Sequence, residues 1–378
     1  NFGRPEKDGS YSKRTKYGMI GVIIHEVGHN FFPMIINSDE RQWTWMDEGL
    51  NTFLQYLTEQ EFERNYPSRR GPPSNIIEYM KGDKSGIVPI MTNSESILQF
   101  GNNAYGKPAT ALNILRETIM GRELFDYSFK TYSKRWAFKH PTPADFFRTM
   151  EDASAVDLDW FWRGWFYTND HVDISIDKVS WFKINTGNPD VENPISKEKI
   201  ENENTYIGNT RNKSSIEKTV TEYNDNAIDF YTTYDPFKTN ILDREDYSKY
   251  LKNINKEDKE VLKSNKNYYE IQFSNIGGLV MPIILEFKYT DGTSEIIRIP
   301  AEIWKRNSKQ IKKIFILNKE LSNVKLDPFL ETADVDMDNN YWPTKSEATR
   351  FQLYKQKKNN RDNPIQRDIK AKERIDNK

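Results

Sequence analysis

The chain has 378 residues, 29% of them charged, a formal net charge of -1, 13% aromatic residues and a mean hydropathy of -0.83. That length allows two or three domains with a sizeable core. The near-zero charge gives no electrostatic case for nucleic acid or an anionic membrane surface, and the aromatic content excludes a chain disordered throughout. Cysteine is absent, so disulfides and thiolate metal sites are excluded, and a tightly held transition metal must use His, Asp or Glu; there are only 4 histidines.

Residues 1–16 are polar and contain Gly and Pro, and they read as loop. The chain opens on Asn1 without a charged-then-apolar signal pattern, which reads as a processed or truncated start. The apolar runs 19–24 and 278–287 are too short to span a bilayer, so no transmembrane segment is expected. Residues 17–32, "YGMIGVIIHEVGHNFF", read as a buried helix stopped by Pro33. After a turn at 37–42, a second helix starts near Thr44 or Trp45, with Thr44 as cap, Asp47 at its positive end, and Leu50, Phe53, Leu54 and Leu57 at helical spacing. Residues 66–75 are loop, and 108–167 are strongly helical, with Pro108 early in one helix and Gly121 as its stop. Thr142 then caps a helix that has Pro143 in its first turn, and Asp157 caps the next.

The pattern changes after Asp170. "HVDISIDKVSWFKI" alternates like a strand, 188–218 is a polar linker or insertion, and 241–264 is a short charged helical stretch. Strands follow in "YYEIQFS", "LVMPIILEFKYT", "SEIIRIP" and "KKIFIL", with a hairpin turn at Asp291-Gly292. From Ser346 the tail is charged and polar, and it is expected to be frayed or disordered. The acidic run 334–340 starts like a calcium loop but has Asn339 and Lys345 where such a loop needs Gly and Glu, so it reads as a hydrogen-bonded turn. His140 and His171 sit in turn contexts and read as surface histidines.

The chemistry lies in "HEVGH". His25 and His29 are four apart, which on a helix puts both imidazoles on one face, within reach of one ion. Glu26 stands beside them, placed to take a proton from a metal-bound water. Two histidines leave a tetrahedral zinc short of a ligand. Glu48, separated from His29 by 18 residues, reaches the site if the second helix folds back on the first. Asp47 points elsewhere on the helix and reads as a supporting or helix-start charge.

HExxH followed after 18 residues by Glu, in "WMDEGLNTF", resembles the aminopeptidase N-like zinc metallopeptidases, a gluzincin family that includes leukotriene A4 hydrolase. "NAYGKPATALNILRETIMGRELFDYSFKTYSKRW" and "FFRTMEDASAVDLDWFWRGWFYT" extend the likeness over roughly 16–170, and the later β segment is similar to C-terminal domains of some bacterial members. The resemblance implies one zinc per chain on His25, His29 and Glu48, Glu26 as general base, and Tyr105 as hydrogen-bond donor to the oxyanion. Tyr79, in "YMKG", is the closer literal match to the family's Tyr-x-Lys-Gly, but it follows Glu48 by only 31 positions against 57 for Tyr105, and Tyr105 leads into the Leu-rich helix. Pro108 stands where the family usually has Gly. The family's Gly-x-Met-Glu-Asn motif, which anchors a substrate's amino group from an N-terminal β domain, is not among the 24 residues before His25. The resemblance therefore implies a chain lacking that domain, and it carries the zinc chemistry further than the exopeptidase specificity.

The expected fold class is α+β multidomain: a mainly helical, thermolysin-like zinc peptidase domain followed by a small antiparallel, sandwich-like β domain. The expected divisions are 1–170, 171–265 (a strand plus polar linker), 266–345 (the β domain) and 346–378 (the tail). The expected function is a zinc metallopeptidase acting on peptides, an aminopeptidase by resemblance, with no nucleic-acid partner, an open oligomeric state and a periplasmic or cell-surface place. The alternatives are a non-catalytic zinc-binding interaction module and an epoxide hydrolase-like relative.

Overall fold

The computed structural model describes residues 4–203, 205–344 and 362–376. The first helix, α1 (Lys13–Gly28), starts earlier than expected because the Ser12 side chain caps it by accepting from the Thr15 N–H at 3.1 Å. It also stops earlier. Phe32 precedes a proline and sits outside helical geometry (φ -125, ψ 106), so the chain leaves α1 through a wide π-type turn at Asn30–Ile35. The expectation that this helix is buried needs correction: only Gly21 and His25 are buried along it, while Met19, Ile23 and Val27 are exposed.

A second wide turn, Trp45–Gly49, runs into α2 (Leu50–Phe62). Thr44 does not cap it. Its backbone is already helical (φ -52, ψ -31) and its hydroxyl donates to the Glu40 carbonyl at 2.9 Å. Asp39 Oδ1 closes the turn before it by accepting from the Arg41 and Gln42 N–H groups at 3.2 and 3.1 Å. α2 packs on α1 at two glycines of α1. A Cβ on Gly28 would stand 2.0 Å from Asn51 Oδ1, and one on Gly21 would stand 2.9 Å from Glu59 Oε1. Polar side chains of α2 thus come up against the backbone of α1, and Asn51 Nδ2 donates to the His25 carbonyl at 2.8 Å.

The short α3 (Ile77–Lys81) is followed by a third wide turn, Gly101–Gly106, and by α4 (Lys107–Ile114), every residue of which is buried. Gly121, at φ +81, separates the end of that helical run from α5 (Arg122–Trp136), as the sequence implied. α6 (Pro143–Ser154) has a Thr142–Asp145 capping box, and α7 (Asp159–Tyr167) has Asp157 accepting from the Asp159 N–H at its start. Aromatic residues fill the space between these helices. Trp45 lies 4.7 Å from Phe166, Phe147 4.6 Å from Trp162, and Tyr132 4.8 Å from Phe146, ring centre to ring centre. Trp45 is therefore a core anchor three residues before Glu48.

Beyond the helices come β1 (Ile174–Phe182), then α8 (Pro189–Glu201) and α9 (Ile207–Ser215) where a linker was expected. α10 (Val220–Tyr223), α11 (Phe230–Thr233), α12 (Ile241–Asn253) and α13 (Lys256–Leu262) follow. Asn188 caps α8 by accepting from the Asp190 N–H, a signal that composition alone obscured. None of these six helices buries a residue. The remaining strands are β2 (Asn267–Asn275), β3 (Ile283–Tyr289), β4 (Ser294–Ile299), β5 (Gln310–Leu317), β6 (Leu321–Leu326) and β7 (Tyr341–Trp342). They form a three-stranded sheet, β1-β2-β5, and a four-stranded sheet, β4-β3-β6-β7, whose pairings are antiparallel. The β3–β4 hairpin turns at Gly292 (φ +82) with Asp291 Oδ1 accepting from the Thr293 N–H. The 334–340 run is the expected hydrogen-bonded turn, Asp334 and Asp336 each accepting a nearby N–H.

In the tail, Pro364–Asp376 is helical (α14) rather than frayed, and residues 345–361 and 377–378 lie outside the described residues. The chain divides into two compact units, Asn1–Val179 with Glu270–Lys313 and Leu321–Lys378, and Ser180–Tyr269 with Ile314–Glu320. Among the described residues no helix is long and apolar enough to cross a membrane.

The close approach at Gly28 gives a stability test. Gly28→Ala gains helix propensity but forces Asn51 off the His25 carbonyl, and overpacking of this kind costs about 1–3 kcal/mol. The urea midpoint is expected to fall; an equal or higher midpoint contradicts the packing.

Candidate functional site

α1 presents His25 and His29 on one face, and the turn Trp45–Gly49 brings Glu48 against them. His25 Nε2 lies 3.0 Å from Glu48 Oε2 and 3.1 Å from His29 Nε2, and His29 Nε2 lies 3.4 Å from the same carboxylate oxygen. One ligand atom from each residue lies within 4.8 Å of the others, the one such cluster of three among the described residues. Donors about 2.0–2.1 Å from a tetrahedral ion stand about 3.3–3.4 Å apart, so the observed spacing suits a single small cation.

The outer ring nitrogens decide what the inner ones carry. His29 Nδ1 faces the Phe32 carbonyl at 2.9 Å, with Asp47 Oδ1 beside it at 3.1 Å. His25 Nδ1 faces Gln55 Oε1 at 3.0 Å, and that amide is oriented by its Nε2 donating to Glu59 Oε1 at 2.8 Å. Carbonyl oxygens only accept, so each imidazole keeps its proton on Nδ1 and turns a lone pair at Nε2 inward. Two lone pairs and a carboxylate converging on one point repel one another unless a cation sits between them. The donor set, two nitrogens and an oxygen without thiolate, fits zinc.

Glu26 lies on the same cleft, outside the ligand cluster. The cleft holds about 1140 Å³ and is lined by His25, Glu26, His29, Glu48 and Tyr105. Tyr105, carried by the turn Gly101–Gly106, stacks near His25 and donates its hydroxyl to Glu48 Oε1 at 2.5 Å. Tyr79 is buried elsewhere and does not line the cleft. Burial pushes the Glu48 carboxyl up, but the two imidazoles beside it and the Tyr105 hydroxyl donating to Oε1 outweigh this, so it stays below its ordinary value. Burial and the neighbouring Glu48 carboxylate raise the Tyr105 hydroxyl, which keeps its proton. Asp47 is pushed up to about 8 by burial and by Glu48 and Glu40. His140 and His171 lie outside the cleft; His140 Nδ1 faces the Asn37 carbonyl, and His171 is half-buried rather than on the surface.

Residues 6–165 match the Peptidase family M1 domain. The family resemblance read from the HExxH motif and Glu48 holds over this stretch. The chain is 26% identical to bovine (Bos taurus) glutamyl aminopeptidase over 156 residues, 40% of this chain and 16% of that relative. It is 24% identical to probable aminopeptidase 2 of Sulfurisphaera tokodaii over 191 residues, 47% of this chain and 23% of that relative. The chain thus spans less than a quarter of the length of either relative. Among solved structures, aminopeptidase A of Legionella pneumophila, in complex with aspartic acid, aligns at 13% identity with a TM-score of 0.42, covering 83% of this chain and 26% of that one. An M1 zinc metallopeptidase mutant of Deinococcus radiodurans aligns at 18% identity with a TM-score of 0.35, covering 42% and 35%.

Within residues 6–165, sequence reasoning missed the residues that orient the histidines. Asn51, Gln55 and Glu59 follow Glu48 at helical spacing along α2, a polar stripe beside the apolar positions Leu50, Phe53, Leu54 and Leu57. That stripe was visible as a pattern, and the apolar positions drew attention from it. Arg70, over the Tyr105 ring at 4.3 Å, carried no such signal.

Gln55→Leu removes the acceptor that fixes His25. Losing an outer partner of this kind lowers metal affinity about 10–100-fold. Competition titration with a chromophoric chelator is expected to read that loss for zinc, and unchanged affinity contradicts the orienting role.

Proposed function

We propose that this chain carries the active centre of a zinc-dependent metallopeptidase, with His25, His29 and Glu48 holding the metal, one zinc per chain. The observation that supports it most is the pair of imidazole lone pairs turned inward against the Glu48 carboxylate, with the Glu26 side chain on the same cleft. When bound, zinc supplies Lewis acidity, lowering the pKa of a water towards neutrality and polarising the scissile carbonyl.

The chain's own residues do the rest. Glu26 takes a proton from the attacking water and passes it to the leaving amine. The Tyr105 hydroxyl, which donates to Glu48 in the resting site, turns to the oxygen that gains charge as the carbonyl carbon becomes tetrahedral. Gln55 and the Phe32 carbonyl hold both imidazoles in the tautomer that leaves Nε2 free. The aminopeptidase part of the reading is supported by the relatives, which are named aminopeptidases, and makes the substrate a peptide with a free amino end.

Aminoacyl-coumarin substrates test the reading. Fluorophore release is expected to stop with chelator and return with zinc; no release by zinc-loaded protein rejects the peptidase. Glu26→Gln is expected to keep its zinc by elemental analysis and lose about three orders of magnitude in rate. Near-normal turnover by that variant removes Glu26 from the mechanism. Tyr105→Phe should lower kcat with little change in KM, and a normal kcat would leave the oxyanion without this donor.

A further inference from the structure

Arg70 lies between α2 and α3, in the loop "SRRGPPSN". Its guanidinium carbon is 4.3 Å from the centre of the Tyr105 ring, and its Nη2 stands 3.2 Å from where a Cβ on Gly101 would be. The Tyr105 ring and the Gly101 backbone thus both border the guanidinium. Arg70 lines the cleft that contains His25, Glu26 and Glu48, and it also lines an adjoining cavity of about 770 Å³.

Among the described residues it is set apart as an arginine that is half-buried without a carboxylate; the other arginines without one are exposed. Arg41, Arg116, Arg122, Arg135, Arg244 and Arg298 each hold a carboxylate. Among the described residues no ion pair or hydrogen bond takes up the half-buried Arg70 side chain. Glu48 is the acid whose field reaches it, but the Glu48 oxygens are already directed at His25, His29 and Tyr105. Glu78 lines the adjoining cavity without pairing to Arg70. A guanidinium taken partly out of water without a counter-charge is unfavourable unless a ligand supplies one, and its planar fork matches a carboxylate.

We propose that Arg70 is a specificity-determining residue that takes a carboxylate of a peptide bound in the cleft, from an acidic side chain or from the peptide's C-terminus. The inference rests on the metallopeptidase reading only in making the ligand a peptide.

Calorimetry on the zinc-loaded Glu26→Gln protein separates the two sources with three probes: Asn-Ala amide, Asp-Ala amide and Asn-Ala free acid. At least one carboxylate-bearing probe is expected to bind about 10-fold more tightly than Asn-Ala amide. Arg70→Gln should remove that advantage and move the affinity of Asn-Ala amide less than about 2-fold. An advantage of Asp-Ala amide assigns the side-chain carboxylate, and one of the free acid assigns the terminus. No carboxylate advantage in the parent, including no binding at all, overturns the proposal. So does an equal weakening of all three probes by Arg70→Gln, which would make Arg70 a support for Tyr105 alone. Carboxylate-selective binding with no peptide hydrolysis leaves this inference standing and removes the catalytic reading; hydrolysis without selectivity does the reverse.

Discussion

Two carbonyl oxygens govern the centre of this molecule. Gln55 Oε1 and the Phe32 carbonyl each claim the outer nitrogen of an imidazole, and an acceptor there leaves the inner nitrogen with a lone pair. With Glu48 opposite, three electron-rich atoms stand about as far apart as ligands of one small ion do. Without a cation the arrangement is repulsive. Its outer contacts hold this geometry in place, and a cation would relieve the repulsion.

Those outer contacts depend on how closely two helices approach. Gly21, His25 and Gly28 lie along the side of α1 that meets α2, and Asn51, Gln55 and Glu59 lie along the opposing side of α2. The glycines let polar side chains reach the α1 backbone and the His25 ring; larger residues would hold α2 away and leave His25 without its acceptor. At the other end, the wide turn Trp45–Gly49 is pinned by Trp45 in the aromatic core, which fixes Glu48 three residues later. Wide helical turns also carry Tyr105 and follow His29. Such turns change which way a helical side chain points, and here they border the site on each side.

The cluster of His25, His29 and Glu48 was legible because two histidines one turn apart and an acid a helix away leave a compact pattern. Tyr105 was separable from Tyr79 by its distance from Glu48 and by the helix after it, and the geometry puts Tyr105 on Glu48. Helix starts at Thr142 and the hairpin at Gly292 were legible because caps and turns are local. Three things were not. Thr44 reads as a cap, yet its backbone is already helical and its hydroxyl donates back to the Glu40 carbonyl. The apolar run of α1 reads as buried, yet Met19, Ile23 and Val27 are exposed, since periodicity shows which residues share a face and not what lies against it. The polar 188–218 stretch reads as a linker or insertion without elements of its own, and α8 and α9 form there without burying a side chain, held by caps and by pairs such as Asp190–Arg244 rather than by a core.

Zinc K-edge X-ray absorption on the zinc-loaded chain tests the central claim most directly, because it reads the ligand atoms themselves. The account predicts a first shell of nitrogen and oxygen at about 2.0–2.2 Å with the outer-shell scattering of two imidazoles, one of which is lost in His29→Ala. A first shell of oxygen alone, or an imidazole signal unchanged in His29→Ala, would contradict it.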